Sequence, residues 1–160
     1  MDSDKQIKAP EVRMPAQSLQ EYVIEAGHEL RISAIENHIK VVMLEGGQAD
    51  VFGRELPPDE PTFFSKSDNI AIFCWKRTQI KVCGAHEGYQ SDNTHMHRYV
   101  NLTYALNQIR TESLQQKKVC PGLLVTGAQQ SGKKTLSKIL TNYAIKLGWQ
   151  PTYVDLDLKS

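Results

Sequence analysis

Gly127-Ala128-Gln129-Gln130-Ser131-Gly132-Lys133-Lys134-Thr135 is the stretch on which the reading of this chain turns. Its two outer glycines stand where successive backbone N–H groups converge on a phosphate, and Lys133 follows the second glycine where an ammonium reaches the outer phosphates of a nucleotide. The flanks agree with such a loop. Leu123-Leu124-Val125-Thr126 before it is a short apolar run of the kind found in buried parallel strands. After it, Leu136, Ile139, Leu140, Tyr143, Ala144 and Leu147 recur at helical spacing, with Gly148 as the stop. The pattern predicts a strand, a P-loop, a helix over 135–147 and a second parallel strand, Thr152 to Leu156, that ends on Asp157.

Each loop residue has a chemical role in this reading. Gly127 and Gly132 open the backbone to phosphate, Gln130 and Ser131 lie in the cradle between them, and Lys133 supplies a point charge. The next position normally carries the hydroxyl that holds Mg²⁺. Here it is Lys134, which while protonated has no lone pair to offer a metal. Two routes stay open: Thr135 takes over the metal, or the Lys134 ammonium itself neutralises phosphate. Asp157, at the carboxyl end of the second strand, is placed to hold Mg²⁺ through water or to accept a proton from an attacking hydroxyl. Asp155 faces the same side by strand alternation. The expected catalytic residues are therefore Lys133 and Asp157, and the expected metal residues Thr135 and Asp157, with Mg²⁺ weak or displaced.

Composition narrows the rest. With 19 Lys+Arg against 18 Asp+Glu in 160 residues, no net field draws the chain to nucleic acid or to a membrane surface. The cysteines, Cys74, Cys83 and Cys120, are too few and too scattered for a zinc cage and fit a reducing compartment better than a disulfide scaffold. His95-Met96-His97 has no further ligands nearby in the sequence. No apolar run approaches the roughly 20 residues of a membrane span, and Met1-Asp2-Ser3-Asp4-Lys5 lacks the apolar centre of a signal peptide. A soluble protein of cytosol or nucleus is expected.

Along the chain, residues 1–18 mix charge and proline without periodicity and predict a flexible arm. Residues 19–86 carry short apolar runs between turn chemistries such as Ala26-Gly27-His28, Gly46-Gly47 and Pro57-Pro58-Asp59. They predict an all-β sandwich or barrel with strands at 22–24, 29–34, 39–44, 48–52, 69–75 and 79–83. Phe73 and Trp75 read as core rather than as a base-stacking platform. Residues 87–94 are polar and contain glycine, a linker by composition. Val100, Leu102, Ala105, Leu106 and Ile109 then predict a helix running into the charged stretch that ends at Lys118. Residues 119–160 form the first βαβ unit of an α/β P-loop domain with a parallel sheet; one such unit cannot cover both faces of its sheet, so the unit is expected to be incomplete.

Glu29-Leu30-Arg31, the run from Gly47 to Leu56, Ala71-Ile72-Phe73-Cys74-Trp75 and above all Asn142 to Asp157 resemble the Clp-type polyribonucleotide 5′-hydroxyl kinase family of the pre-mRNA 3′-end cleavage machinery. The resemblance spans most of 21–157. It implies an N-terminal β-sandwich on a P-loop kinase domain, ATP and Mg²⁺ as cofactors, a nuclear location, and as partners a cleavage-factor scaffold protein and a tRNA-splicing endonuclease, with RNA held by parts outside this chain. It also implies that Glu29 is the acid of the adenine site, that the lysine beside it is replaced by Asn69, and that Lys133 and Asp157 are the P-loop lysine and catalytic aspartate. The family's Gly-Gln-Gly after the aspartate is Leu158-Lys159-Ser160 here. Some members bind ATP without transferring phosphate. Three readings follow: an ATP-binding processing factor without transfer, an active RNA 5′-hydroxyl kinase, or a protein-interaction module that needs no nucleotide.

Overall fold

The computed structural model describes residues 19–35, 38–66 and 68–156. The expected arm over 1–18, the tip of the turn at 36–37 and Asp157 lie outside them. In chain order the elements are β1 (Leu19–Ile24), β2 (Glu29–Ala34), β3 (Ile39–Met43), β4 (Ala49–Val51), β5 (Arg54–Glu55), β6 (Pro61–Phe64), β7 (Asn69–Cys74), β8 (Thr78–Cys83), β9 (His86–Ser91), α1 (Met96–Gln115) and α2 (Lys133–Lys146). The strands form two sheets, ordered β1-β8-β3-β6 and β5-β4-β7-β2-β9, with every ladder antiparallel. Alternation along the strands aims Ile24, Leu30, Val41, Ile72, Ile80 and Val82 into the space between the sheets, where each is buried. The β-sandwich read from the sequence is present.

Three strands escape the sequence pattern. β9 occupies most of the segment read as a linker; it pairs along the whole of β2 but faces solvent, so its residues carry no apolar alternation. Gly88 lets the Tyr22 hydroxyl lie close to β9, where a Cβ would come within 2.8 Å of it. β5 follows a two-residue turn in which Phe52 (φ 51°) and Gly53 (φ 79°) both take the left-handed conformation, the geometry that returns a strand antiparallel to itself. β6 is a short edge strand headed by Pro61.

The P-loop flanks are a correction in the other direction. Neither 123–126 nor 152–156 joins a ladder, and no strand occurs among the described residues after β9. A strand exists through its neighbour's hydrogen bonds, and neither run has one among the described residues. Leu124 and Val154 are accordingly exposed.

A second apolar layer lies on the outer face of the β2/β7 sheet. Phe73 points there, away from Cys74, and is buried with Met96 of α1 and Ile139 of α2, flanked by Phe52, Trp75, Tyr99 and Tyr143. Burial on both faces explains why β7 reads as an unbroken apolar run. Phe73 and Trp75 are thus packed edge to face at 4.9 Å, as core. Three hydrogen bonds fix the layer: Asn142 Nδ2 to the Phe52 carbonyl at 2.8 Å, Tyr143 hydroxyl to Asp50 at 2.8 Å, and Trp149 Nε1 to Asn107 at 2.7 Å. α2 closes as expected on Gly148 (φ 84°), whose N–H reaches Ile145 while that of Trp149 reaches Ala144.

Candidate functional site

The loop after residue 126 turns tightly into α2. Gln130 (φ 60°) and Gly132 (φ 82°) turn the backbone left-handed on either side of Ser131, and α2 starts directly after with no side-chain cap and no acid in its first turn. A Cβ on Gly127 would lie 2.9 Å from Ser131 Oγ, so the loop returns close upon this residue. Lys133 spans the loop, its Nζ donating to the carbonyls of Gly127 at 3.1 Å and Ala128 at 2.5 Å. The ammonium is therefore held at the loop's own mouth by bonds that exposure keeps weak. A cleft of about 1020 Å³ opens beside it, with Gly127, Lys133, Lys134, Ser137 and Asp155 in its wall.

Lys134 is also accounted for. Its Nζ forms an ion pair with Asp155 Oδ2 at 3.3 Å, across from the first turn of α2 to the segment that follows the helix. A P-loop metal is ordinarily held between the hydroxyl after the lysine and an acid of a neighbouring strand. Here the position after the lysine is itself a protein cation, paired with Asp155. Thr135 is exposed and is not in the cleft wall, and the described residues contain no cluster of three His, Cys, Asp or Glu able to hold a metal. Among the described residues the usual hydroxyl position is filled by Lys134, which while protonated cannot ligate Mg²⁺.

Glu29 is buried on the outer sheet face, where its Oε1 accepts from Arg31 Nε at 2.6 Å and forms an ion pair with Arg31 Nη2. Arg31 is in turn fixed by the Asn93 carbonyl at 2.7 Å and by the Tyr89 hydroxyl at 3.3 Å. The fold does not bring Asn69 to this place. The β2–β7 register sets Glu29 opposite Phe73 and Asn69 opposite Ser33, four residues along, a separation of roughly 13 Å at the strand rise. Asn69 instead accepts from Ser33 Oγ at 2.7 Å. In the sequence Arg31 is a same-face opposite charge two residues from Glu29.

Asp50 is the polar residue that pattern reading missed. It is 1% exposed, and its Oδ2 accepts from Trp75 Nε1 and from the Tyr143 hydroxyl, both at 2.8 Å, with Lys146 Nζ at 3.9 Å. Burial, and then the Asp50 charge, raise the pKa of Tyr143. The sequence signal was an acid inside the run Ala49-Asp50-Val51, since unpaired carboxylates are rarely buried.

Residues 23–113, more than half of the chain, match the family described as the N-terminal beta-sandwich domain of polyadenylation factor, and residues 127–160 match the mRNA cleavage and polyadenylation factor CLP1 P-loop. The chain belongs to the Clp1 family. A CLP1 homolog of Drosophila grimshawi is 39% identical over 140 residues, covering 86% of this chain and 33% of the relative. One of Nematostella vectensis is 33% identical over 162 residues, covering 99% and 36%, and one of Arabidopsis thaliana is 34% identical over 148, covering 88% and 33%. The chain thus spans about a third of the length of the curated relatives it matches.

Among solved structures, a Clp1p–Pcf11p complex aligns with a TM-score of 0.71 at 25% identity, over 81% of this chain and 30% of the other. A second structure, which concerns the Pcf11p–Clp1p interface and ATP loss in a point mutant, aligns at 0.70 with the same identity. The Clp1-family P-loop match includes Lys133, Lys134 and Asp155, so the ion pair lies inside the family's own phosphate-loop region.

Proposed function

We propose that this Clp1-family chain is a nuclear, ATP-binding factor of mRNA 3′-end cleavage and polyadenylation in which phosphoryl transfer is impaired or absent. The observation that carries the reading is the loop itself: two left-handed turns, an uncapped helix N-terminus and Lys133 at the mouth, inside the Clp1 P-loop match. Lys133 and the N–H groups around Gly127 to Gly132 would hold the phosphates; Gln130, Ser131, Lys134 and Thr135 border them. Transfer between phosphate and a 5′-hydroxyl depends on positioning and on charge neutralisation around the moving phosphoryl group. A lysine at the metal-ligand position, engaged with Asp155, weakens that part of the machinery.

Glu29 is the base-recognising acid of this proposal, with Arg31 rather than Asn69 beside it. The division into sandwich, connecting helix and P-loop unit belongs to the same reading, as does a scaffold protein of the kind bound by the structural neighbour; a tRNA-splicing endonuclease partner and RNA contacts would need surfaces beyond those described. The active-kinase alternative requires Thr135 to serve the metal and Asp157 to act as base; Thr135 stands outside the cleft wall. An interaction module without nucleotide is the remaining alternative. Calorimetric titration with ATP separates them. Binding that Lys133→Ala abolishes, with no labelled γ-phosphate passed to 5′-hydroxyl RNA, is expected. Transfer by the unaltered chain would overturn the claim of impairment, and ATP affinity indifferent to Lys133→Ala would overturn the P-loop claim.

A further inference from the structure

We infer that the ammonium of Lys134 replaces Mg²⁺ at this P-loop, so that the chain prefers nucleoside triphosphate in its metal-free form. The inference rests on the P-loop reading and goes beyond it by fixing the ionic species bound. In an ordinary site the cation is free to leave and is held by two arms, a hydroxyl from the first turn of the helix and an acid from a strand beside it. Lys134 leaves the first turn of α2, and Asp155 lies in the segment after α2. Their contact at 3.3 Å puts a covalently tethered positive charge at the position of the hydroxyl arm, paired with an acid two residues before Asp157.

Both members of that pair keep more than a third of their side chains in solvent, so the pair itself is weak and does not lock Lys134 away from a ligand. An ammonium has three donors, and one can stay on Asp155 while the others take phosphate oxygens. The first turn of α2 carries Lys133 and Lys134 and no acid, so its fixed charge and the helix N-terminus suit a fully ionised triphosphate. A triphosphate that arrives with Mg²⁺ has already lost two of its negative charges. It would also press a divalent cation against an ammonium that cannot ligate it. The ordinary preference for the magnesium complex is thereby reversed.

The test is ATP titration of the 160-residue chain in EDTA and in excess Mg²⁺, with Lys134→Ser, Lys134→Arg and Lys133→Ala. The unaltered chain is expected to bind more tightly in EDTA than in Mg²⁺, and equal affinity in the two would overturn the preference. Lys134→Ser should lose roughly tenfold in EDTA and recover it with Mg²⁺, while Lys134→Arg keeps metal-free binding. Mn²⁺ in place of Mg²⁺ adds a second readout: its paramagnetic signal should broaden on ATP addition with Lys134→Ser and stay that of free Mn²⁺–ATP with the unaltered chain. Tighter binding in Mg²⁺ by the unaltered chain, abolished by Lys133→Ala, would overturn this inference and leave the P-loop reading standing. Binding that ignores Lys133→Ala would overturn both. Lys134 is exposed on the first turn, so its variants are expected to melt with the unaltered chain, and a shared response of all of them to Mg²⁺ would also overturn the replacement.

Discussion

The hydroxyl of Tyr143, on the helix inside the P-loop match, donates at 2.8 Å to Oδ2 of Asp50, on the outer face of β4. Through this bond the orientation of α2, and with it the loop at its N-terminus, is set by the sandwich. Asp50 stands in a cross-strand row with Glu55, Phe73, Glu29 and Ser91, so one rigid line joins the α2 contact to the buried Glu29–Arg31 pair. The carboxylate spends both of its short bonds on one oxygen; Oδ1 is buried with no partner among the described residues. A buried carboxylate so incompletely satisfied is costly, and its donors are correspondingly hard to remove.

Tyr143→Phe tests that statement with little change of volume. It leaves Oδ2 with Trp75 and a distant Lys146, and the expected cost is about 1–3 kcal/mol in the urea unfolding free energy. Limited proteolysis should open 119–156 before the sandwich. A change within about 0.5 kcal/mol, the range of ordinary surface substitutions, would show that Asp50 does not hold α2.

Two glycines with nearly the same backbone separate conformational strain from docking. Gly46 (φ 85°) has open space where a Cβ would stand, whereas at Gly53 (φ 79°) a Cβ would meet the Ile139 carbonyl at 3.1 Å and the Tyr143 ring at 3.2 Å. Alanine at either pays for the left-handed backbone, about 1 kcal/mol. Gly53→Ala should cost at least ~1 kcal/mol more, because backbone of α2 cannot step aside as a flexible side chain does. Equal losses in thermal or urea unfolding would mean that the Phe52–Gly53 tip does not bear on α2.

What was legible in the sequence follows from which interactions are local. The alternating strands, the buried positions Ile139, Leu140 and Ala144 of the helical stripe and the Gly148 stop are short-range patterns that appear where expected, whereas Leu147 of that stripe and Leu102 and Ile109 of the stripe read in α1 are exposed. β9 was not legible because its only demand is a backbone ladder, which polar residues meet as well as apolar ones. The partnership of Glu29 could not be placed without register: Phe73 and Asn69 both lie on its face of β7, and only the pairing decides that Asn69 is four residues too far along. Asp50 required knowing that the outer face of the sheet is itself covered, which is a property of α2 rather than of β4.

Alkaline pH should destabilise the fold through one buried and one partly buried group. Burial pushes the Cys74 thiol from its ordinary 9.0 up to about 11, and burial with the Asp50 charge raises Tyr143 above its ordinary 10.0. Each keeps its proton longer in the folded chain than in the unfolded one, so its contribution is complete below the ordinary value and is lost as pH rises through the folded value. Stability is expected to fall from pH 9.0 toward about 11 with Cys74 and to fall more steeply above 10.0 as Tyr143 joins. Urea midpoints at pH 8 to 11 measure this. In Tyr143→Phe the added steepness should vanish; a flat profile in the unaltered chain would contradict both assignments.

The three thiols report on separate layers and should react in a fixed order. Cys120 is exposed just before the apolar run that leads into the loop, Cys83 is partly covered at the end of β8, and Cys74 is fully buried between the sheets with its thiolate suppressed. The thiolate is the reacting form, so access and pKa act together against Cys74. Maleimide at neutral pH is expected to label Cys120 within the mixing time of a chemically denatured control, Cys83 more slowly, and Cys74 only at the rate at which the sandwich opens. That last rate should rise with urea in proportion to global unfolding. Tyr143→Phe, which loosens α2 rather than the space between the sheets, should speed Cys74 only by its effect on global stability. A larger acceleration would mean that the α2 contact holds the two sheets together as well.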